Sequence, residues 1–167
     1  MNLILKIIQN EDLKKFKLDM QEAFQKGYED EFGRTCFQIL PEKDINESLE
    51  TNNSYAYKAE VDGNLVGGAI IVVDKKLNKA HLDFLYVKCD YQNQGIGKKI
   101  WHKLELMHPE VNVWETTITY FDKRNIHFYV NICGFNIYSY LHDEEDDGAC
   151  TGDFCGGMFL LRKVIKG

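Results

Sequence analysis

An apolar strand that runs into a glycine-containing turn and then into an amphipathic helix constrains this chain more than any other feature. Downstream of Gly95, apolar residues recur at helical spacing with lysines on the other side, until Pro109 ends the pattern. The first turn of such a helix offers free backbone amides at the positive end of the helix dipole, and glycines let a ligand approach them. The segment predicts a cradle for a diphosphate group, formed by Gln92, Asn93, Gln94, Gly95, Ile96, Gly97 and Lys98.

Spacing separates this cradle from two other phosphate-binding motifs. A Walker loop needs Gly-Lys followed by Ser or Thr, whereas Lys99 follows Gly97-Lys98. A dinucleotide fingerprint needs a third glycine where Ile100 stands. Taken alone, the motif also fits an ordinary strand-to-helix turn.

A second motif lies further along the chain. Asp122 is a good helix N-cap and Gly134 a good left-handed stop, which predicts a short helix between them. Asn125 and Tyr129 are four residues apart, so they share one face of this helix. The helix ends in Gly134-Phe135.

Together the two motifs resemble the GNAT N-acetyltransferase superfamily, in which Gln-x-x-Gly-x-Gly forms the coenzyme A loop and Asn-x-x-x-Tyr lies on the following helix. The resemblance covers most of the chain from Ser54 onward. It implies acetyl-CoA as co-substrate, with no metal, and a mixed, mostly antiparallel sheet flanked by helices, in which the fourth and fifth strands splay apart. It also implies that the pantetheine arm contacts Asn125, that Tyr129 lies near the thioester sulfur, and that pantetheine amides pair with the backbone of Leu85, Tyr86 and Val87.

Composition fits one enzyme domain spanning residues 1–167, because 44% of the residues are hydrophobic and only two are proline. The net charge of −6 disfavours a nucleic-acid partner and favours a cationic acceptor. No segment has the apolar length needed to cross a bilayer, and the first ten residues suggest a strand rather than a signal peptide. Five cysteines without a Cys-x-x-Cys pair predict free thiols, no metal site and a cytoplasmic location.

The order of helix and strand patterns predicts an α/β fold. A helical face that begins at Leu13 fades near Gly27, and Pro41 opens a second short helix. Asp62-Gly63-Asn64 is a hairpin signal. The predicted strands are residues 2–8, 54–61, 65–73, 80–87, 111–116, 135–141 and 158–164, with crossover helices after the fourth and fifth.

The chemistry that this resemblance implies is transfer of an acetyl group to a primary amine, chiefly that of a small molecule. Two alternatives remain open at this point: a protein N-terminal or lysine acetyltransferase, and a sensor of the same fold that binds acyl-CoA without turnover. Tyr129 is the candidate that stabilises the departing thiolate. A phenol has a pKa of about 10 and a thiol a pKa of about 8.5, so complete proton transfer from Tyr129 to the thiolate is unfavourable. Tyr129 is therefore expected to act mainly as a hydrogen-bond donor.

A carboxylate, a His or a water chain must help to remove the amine proton, and two carboxylates are the named candidates. Asp83 stands within an otherwise apolar strand, and Glu115 lies in the fifth strand, where similar sequences of the family often carry Glu. Alternation along a strand places His81, Asp83 and Leu85 on one side. The plainer interpretations are an edge position for Asp83, a surface ion pair for Glu115 and a polar contact for His81.

The acceptor site is expected where the resemblance puts it, at the first helices and at the loop before the final strand. Two acidic stretches, Tyr28–Phe32 and Asp143–Asp147, fall there and could attract a cationic amine. Residues 148–157, with two cysteines and four glycines, match nothing in the family and could form a lid or a dimer contact. A homodimer through the final strands is a family-level expectation.

Overall fold

Seven strands form one sheet in the order β1-β2-β3-β4-β5-β7-β6, and the computed structural model describes residues 2–142 and 157–165. Every neighbouring pair is antiparallel except β4 and β5. The strands are β1 Leu3–Ile7, β2 Ser54–Val61, β3 Asn64–Asp74, β4 Lys79–Val87, β5 Val113–Thr119, β6 Asn136–Leu141 and β7 Met158–Val164. The helices are α1 Leu13–Phe32, α2 Glu42–Glu50, α3 Ile96–Met107 and α4 Lys123–Ile126, which continues as a π-helical segment, His127–Ile132.

Helices cover both faces of the sheet and bury one cluster of side chains on each. The apolar stripe of α3 contributes Ile100, Trp101 and Leu104 to the larger cluster. On the other face, α1 and α2 bury side chains such as Phe16 and Ile45 against the sheet. The predicted mixed, mostly antiparallel sheet between helices is therefore confirmed.

Two predicted local signals are confirmed by the backbone. Asp62 and Gly63 both have positive φ angles, 52° and 80°, as a tight hairpin turn requires. Gly134 ends the π-helical segment with φ 89°. The fifth strand begins two residues later than predicted and runs on to Thr119.

The predicted fading of the first helix near Gly27 is wrong. Helix α1 continues to Phe32 and stops at Gly33, whose N–H donates to the Glu29 carbonyl at 2.8 Å. A glycine in a helix costs about 1 kcal/mol relative to alanine. Aromatic packing after Gly27 offsets that cost, because the Tyr28 ring contacts Phe32 and Phe121.

The prediction that His81, Asp83 and Leu85 share one face of β4 is wrong for Leu85, whereas His81 and Asp83 do contact each other. A β-bulge interrupts the pairing with β3, where Leu82 faces Ile71 and Phe84 faces Ile70, and Asp83 is the extra residue. Leu85 therefore packs with the α3 cluster, whereas Phe84 joins the α1 and α2 cluster. Since the bulge depends on the neighbouring strand, simple alternation could not predict it.

Candidate active site

A cleft opens where β4 and β5 part. Their pairing runs only from Lys79 with Val113 to His81 with Glu115. Just beyond, the buried Thr116 hydroxyl donates to the Leu82 carbonyl at 2.9 Å. From there the strands diverge around a cleft of about 1100 Å³ that reaches from the start of α3 to α1 and α2.

The predicted cradle lies at one end of this cleft. Gly95 has φ 75° and begins α3, and Asn93 also has a positive φ of 64°. The Gln92 side-chain amide donates to the Val87 carbonyl at 3.2 Å, which ties the loop to the end of β4. All the residues predicted to contact coenzyme A line the cleft except Gln94, namely Leu85, Tyr86, Val87, Gln92, Asn93, Gly95, Ile96, Gly97, Lys98, Asn125 and Tyr129.

The second motif forms the opposite wall. The Asp122 side chain caps α4 by accepting from the Asn125 N–H at 3.1 Å, as the sequence predicts. The Asn125 side-chain amide also donates to Asp122, at 2.6 Å. This second bond leaves the Asn125 side-chain carbonyl as the group that can accept from a ligand N–H.

Tyr129 lies on the π-helical segment, a geometry common at functional sites. The residue is only 7% exposed, yet it lines the cleft. Burial, with the nearby Cys133 and Asp122 adding to it, raises the pKa of Tyr129 above its usual value. The hydroxyl therefore stays protonated near neutral pH and can act as a donor.

Asp83 belongs to a chain of hydrogen bonds between β4 and α2. The Ser48 hydroxyl donates to one carboxylate oxygen of Asp83 at 2.6 Å, and His81 Nδ1 lies 2.5 Å from the other. All three residues line the cleft. The bulge puts Asp83 on the side of the sheet that faces α2.

Glu115 lies elsewhere. Its carboxylate forms an ion pair with Lys79 and accepts from the Tyr138 hydroxyl at 3.3 Å. The hydrogen bond from Lys79 lowers the pKa of Glu115. Glu115 lines a separate pocket of about 500 Å³ with Lys79 and His81, and it is not among the residues that line the main cleft.

The far end of the cleft is acidic and aromatic. Of the predicted stretch at residues 28–32, Tyr28, Glu31 and Phe32 line it. Asp30 instead pairs with Lys26. Helix α2 adds Asp44 and Glu47 to the lining. The second acidic stretch, Asp143–Asp147, and most of the 148–157 segment lie outside the described residues.

Sequence reasoning missed Ser48, Thr116 and Phe128 as parts of this cleft. Ser48 and Thr116 carry no local signal, because each acts through a hydrogen bond to a strand far away in the chain. The one sequence signal for Phe128 is its position next to the predicted site residue Tyr129. For His81, the plainer interpretation of the sequence is a polar contact on the same strand as Asp83.

The start of α3, the cleft between the parted strands, Tyr129 and Asp83 are arranged as the sequence predicts for a coenzyme A-dependent acyltransferase. The family model described as "Acetyltransferase (GNAT) family" matches residues 17–135. The chain belongs to this family. It is an N-acetyltransferase that uses acetyl-CoA, as the two sequence motifs predict.

Several known proteins are similar to this chain. The Bacillus subtilis (strain 168) protein named "Uncharacterized protein YrkN" is 36% identical, covering 98% of this chain and 94% of its own. The ribosomal-protein-S18-alanine N-acetyltransferase of Escherichia coli has a similar structure, with a TM-score of 0.73, 20% identity and coverage of 99% and 96%. Spermidine N-acetyltransferase of Vibrio cholerae, in complex with CoA and spermine, gives a TM-score of 0.69, 17% identity and coverage of 97% and 95%. These structures share the predicted fold.

Within residues 2–142 and 157–165, no group of three or more His, Cys, Asp or Glu side chains is arranged to hold a metal ion. None of the helices described is both long and apolar enough to span a membrane. Cys36, Cys89 and Cys133 are free thiols.

Proposed function

We propose that this protein transfers the acetyl group of acetyl-CoA to the primary amine of a small cationic molecule. The observation that carries the proposal is the difference in charge between the two ends of the main cleft. One end is the start of α3, where free amides suit a diphosphate, and the other end is lined by carboxylates and aromatic rings. An anionic donor and a cationic acceptor would therefore meet between β4 and β5.

The coenzyme would lie along the wall formed by β4, α3 and α4. Backbone amides from Gln92 to Lys98 would bind the diphosphate, and the parted edge of β4 at Leu85–Val87 would pair with the pantetheine amides. The side-chain carbonyl of Asn125 would accept a hydrogen bond from an amide N–H of the pantetheine arm. Gln94 does not line the cleft, so its contact with the coenzyme rests on the sequence motif alone.

Tyr129 would stabilise the departing thiolate. Its raised pKa keeps the hydroxyl protonated, so it can donate a hydrogen bond to the charge that develops on sulfur. The same shift makes complete transfer of its proton to sulfur less favourable. Hydrogen bonding, rather than full acid catalysis, is its proposed role.

Removal of the amine proton is assigned to the neighbourhood of Asp83 rather than to Glu115. An alkylamine has a pKa of about 10.4, so it arrives as an ammonium and must lose a proton before it attacks. Asp83 lines the main cleft, whereas Glu115 is held by Lys79 beside a separate pocket. Asp83 can act directly or through a group that it holds.

A small cationic acceptor is favoured because Glu31, Asp44 and Glu47 line the end of the cleft together with Tyr28 and Phe32. Carboxylates attract an ammonium group, and aromatic faces pack on an alkyl stem or a cation. The name of the Vibrio cholerae enzyme gives spermidine as its substrate, and the name of the Escherichia coli enzyme gives the alanine of a ribosomal protein. The homodimer and the cytoplasmic location remain predictions from the sequence.

The test is calorimetric titration with acetyl-CoA, followed by measurement of thiol release with spermidine, kanamycin, a lysine peptide and a peptide with N-terminal alanine. Micromolar binding and release with spermidine or kanamycin would support the proposal. Release only with one of the peptides would replace it with protein acetylation. Binding without release on any amine would favour a sensor, and absence of binding would refute the coenzyme site.

A further inference from the structure

We propose that His81 is the general base of the transfer, and that Asp83 and Ser48 are positioning residues that hold its imidazole. The proposal rests on the proposed function and assigns a role within the same cleft. It is carried by the unbroken chain Ser48 Oγ to Asp83 Oδ2 at 2.6 Å and Asp83 Oδ1 to His81 Nδ1 at 2.5 Å.

The tautomer of His81 follows from its partner. An ionised carboxylate has no proton to donate, so His81 Nδ1 carries the hydrogen in the bond to Asp83. The other ring nitrogen, Nε2, then holds a lone pair that can accept a proton. The His81 side chain is 38% exposed and lines the cleft, so the imidazole is accessible from the cleft rather than sealed in the core.

The local fold explains why the three groups meet. The bulge at Asp83 removes this residue from the pairing with β3 and directs it toward α2. Ser48 on α2 is only 6% exposed, and its hydroxyl donates a hydrogen bond to the Asp83 carboxylate. A buried donor fixed by a helix restrains Asp83, which in turn restrains the ring of His81.

Other charged groups do not replace Asp83 in this role. Glu115 faces His81 in the register of β4 and β5, but its carboxylate is held by Lys79 and the Tyr138 hydroxyl. Asp44 and Glu47, the α2 carboxylates proposed to attract the amine substrate, also line the cleft. Asp83 is the carboxylate that has a direct contact with His81.

The reaction needs two proton transfers and exchanges a carbon–sulfur bond for a carbon–nitrogen bond. His81 Nε2 takes one proton from the acceptor ammonium and passes it to solvent. The freed nitrogen lone pair forms a bond to the thioester carbonyl carbon, and the carbon–sulfur bond then breaks. The sulfur leaves as a thiolate with a hydrogen bond from Tyr129, and it takes up the second nitrogen proton. The products are the acetamide and coenzyme A thiol.

The first experiment compares wild type with His81→Ala. We expect kcat with the best amine of the panel to fall by about 10²- to 10⁴-fold, while the Kd for acetyl-CoA stays within about twofold. Added free imidazole should restore part of kcat, which it would not do for a purely structural defect. A wild-type kcat in His81→Ala would overturn the proposal.

The second experiment tests the positioning residues. Ser48→Ala should lower kcat by about tenfold, whereas Ser48→Thr, which keeps the hydroxyl, should recover most of it. Ser54→Ala is the matched control, because the Ser54 hydroxyl is buried and has no hydrogen-bond partner among the described residues. Equal loss of kcat in Ser48→Ala and Ser48→Thr would contradict a role for the hydroxyl.

A third comparison separates the two carboxylates. Asp83→Asn should lower kcat at least tenfold more than Glu115→Gln, because of these two carboxylates Asp83 is the one that contacts His81 directly. A larger loss in Glu115→Gln would return the base to Glu115. Failure of the wild type to release thiol with any amine would instead refute the proposed function, so the two failures are distinguishable.

Discussion

Gly97 and Phe128 are packed so closely that a Cβ atom on Gly97 would lie 3.1 Å from Cε2 of the Phe128 ring. The contact joins the first turn of α3 to the π-helical segment that carries Tyr129. It therefore couples the proposed diphosphate cradle to Tyr129, the proposed hydrogen-bond donor to the departing thiolate. Any side chain at Gly97 must displace the ring, and both residues line the cleft.

Gly97→Ala is expected to weaken acetyl-CoA binding by about tenfold, because the displaced Phe128 ring would intrude on the coenzyme. Gly27→Ala is the matched helical control, since no atom lies within 4 Å of a Cβ at Gly27. That change should stabilise the fold by about 0.5–1 kcal/mol. Calorimetry and urea unfolding of both variants check the pair, and unchanged affinity in Gly97→Ala would contradict the coupling.

Gly95→Val should lower acetyl-CoA affinity by more than tenfold through the cradle and not through the fold. Gly95 and Gly63 have similar positive φ angles, 75° and 80°, and neither has an atom within 4 Å of a Cβ. Gly63 is in the β2–β3 turn, so Gly63→Val should cost a similar 1–3 kcal/mol of stability while binding is kept. Equal affinity losses in the two variants would argue against the cradle.

Tyr129→Phe should lower kcat by about 10- to 100-fold, because a hydrogen bond to a charged group contributes about 1.5–3 kcal/mol. Affinity for acetyl-CoA should change little, since the charge on sulfur exists only during the reaction. Because burial raises the pKa of Tyr129, the wild-type rate should show no loss from its ionisation below about pH 10. Rate measurements across pH test both statements, and a kcat equal to wild type would remove Tyr129 from the mechanism.

Thr116→Val should destabilise the protein by about 1–3 kcal/mol, because the Leu82 carbonyl would lose the donor that bridges β4 and β5 at the point where they part. Thr116→Ser keeps the hydroxyl and is the control. Urea unfolding of the two variants measures the difference. A Thr116→Val variant as stable as wild type would show that the hydrogen bond contributes nothing, whereas a loss only in Thr116→Ser would assign the stability to packing of the methyl group.

Stability should fall as pH rises above about 10. Burial, with Tyr55 and Glu110 adding to it, raises the pKa of Tyr57 to about 12. Between its ordinary value near 10 and that value, the native tyrosine keeps a proton that the unfolded chain releases, so rising pH favours unfolding. Below about pH 10 this contribution is fully present.

Urea unfolding of wild type and Tyr57→Phe at several pH values between about 9 and 11 tests this. The variant should start less stable, because it loses the 2.7 Å bond between the Tyr57 hydroxyl and His108 Nε2. Its stability should nevertheless fall less steeply with pH. An unchanged slope would assign the alkaline loss to other groups.

Local sequence determined the features that depend on neighbours along the chain. Asp62-Gly63 predicted the hairpin because few residues accept two successive positive φ angles. Asp122 predicted the cap because its carboxylate reaches an amide three residues on. Gly95 and Gly97, with Asn125 and Tyr129, identified the family, and the coenzyme loop stays a prediction from the same motif.

Tertiary structure decided what depends on contacts between distant parts of the chain. The bulge at Asp83 arises from pairing with β3, and it sends Leu85 to the opposite face from the one that alternation predicts. The hydrogen bond from Ser48 to Asp83 joins residues 35 positions apart, so no short sequence pattern predicts it. The continuation of α1 past Gly27 likewise depends on the ring of Phe121. Side-chain periodicity records which face of an element is apolar, whereas the register and partners of that face are fixed only when the elements pack.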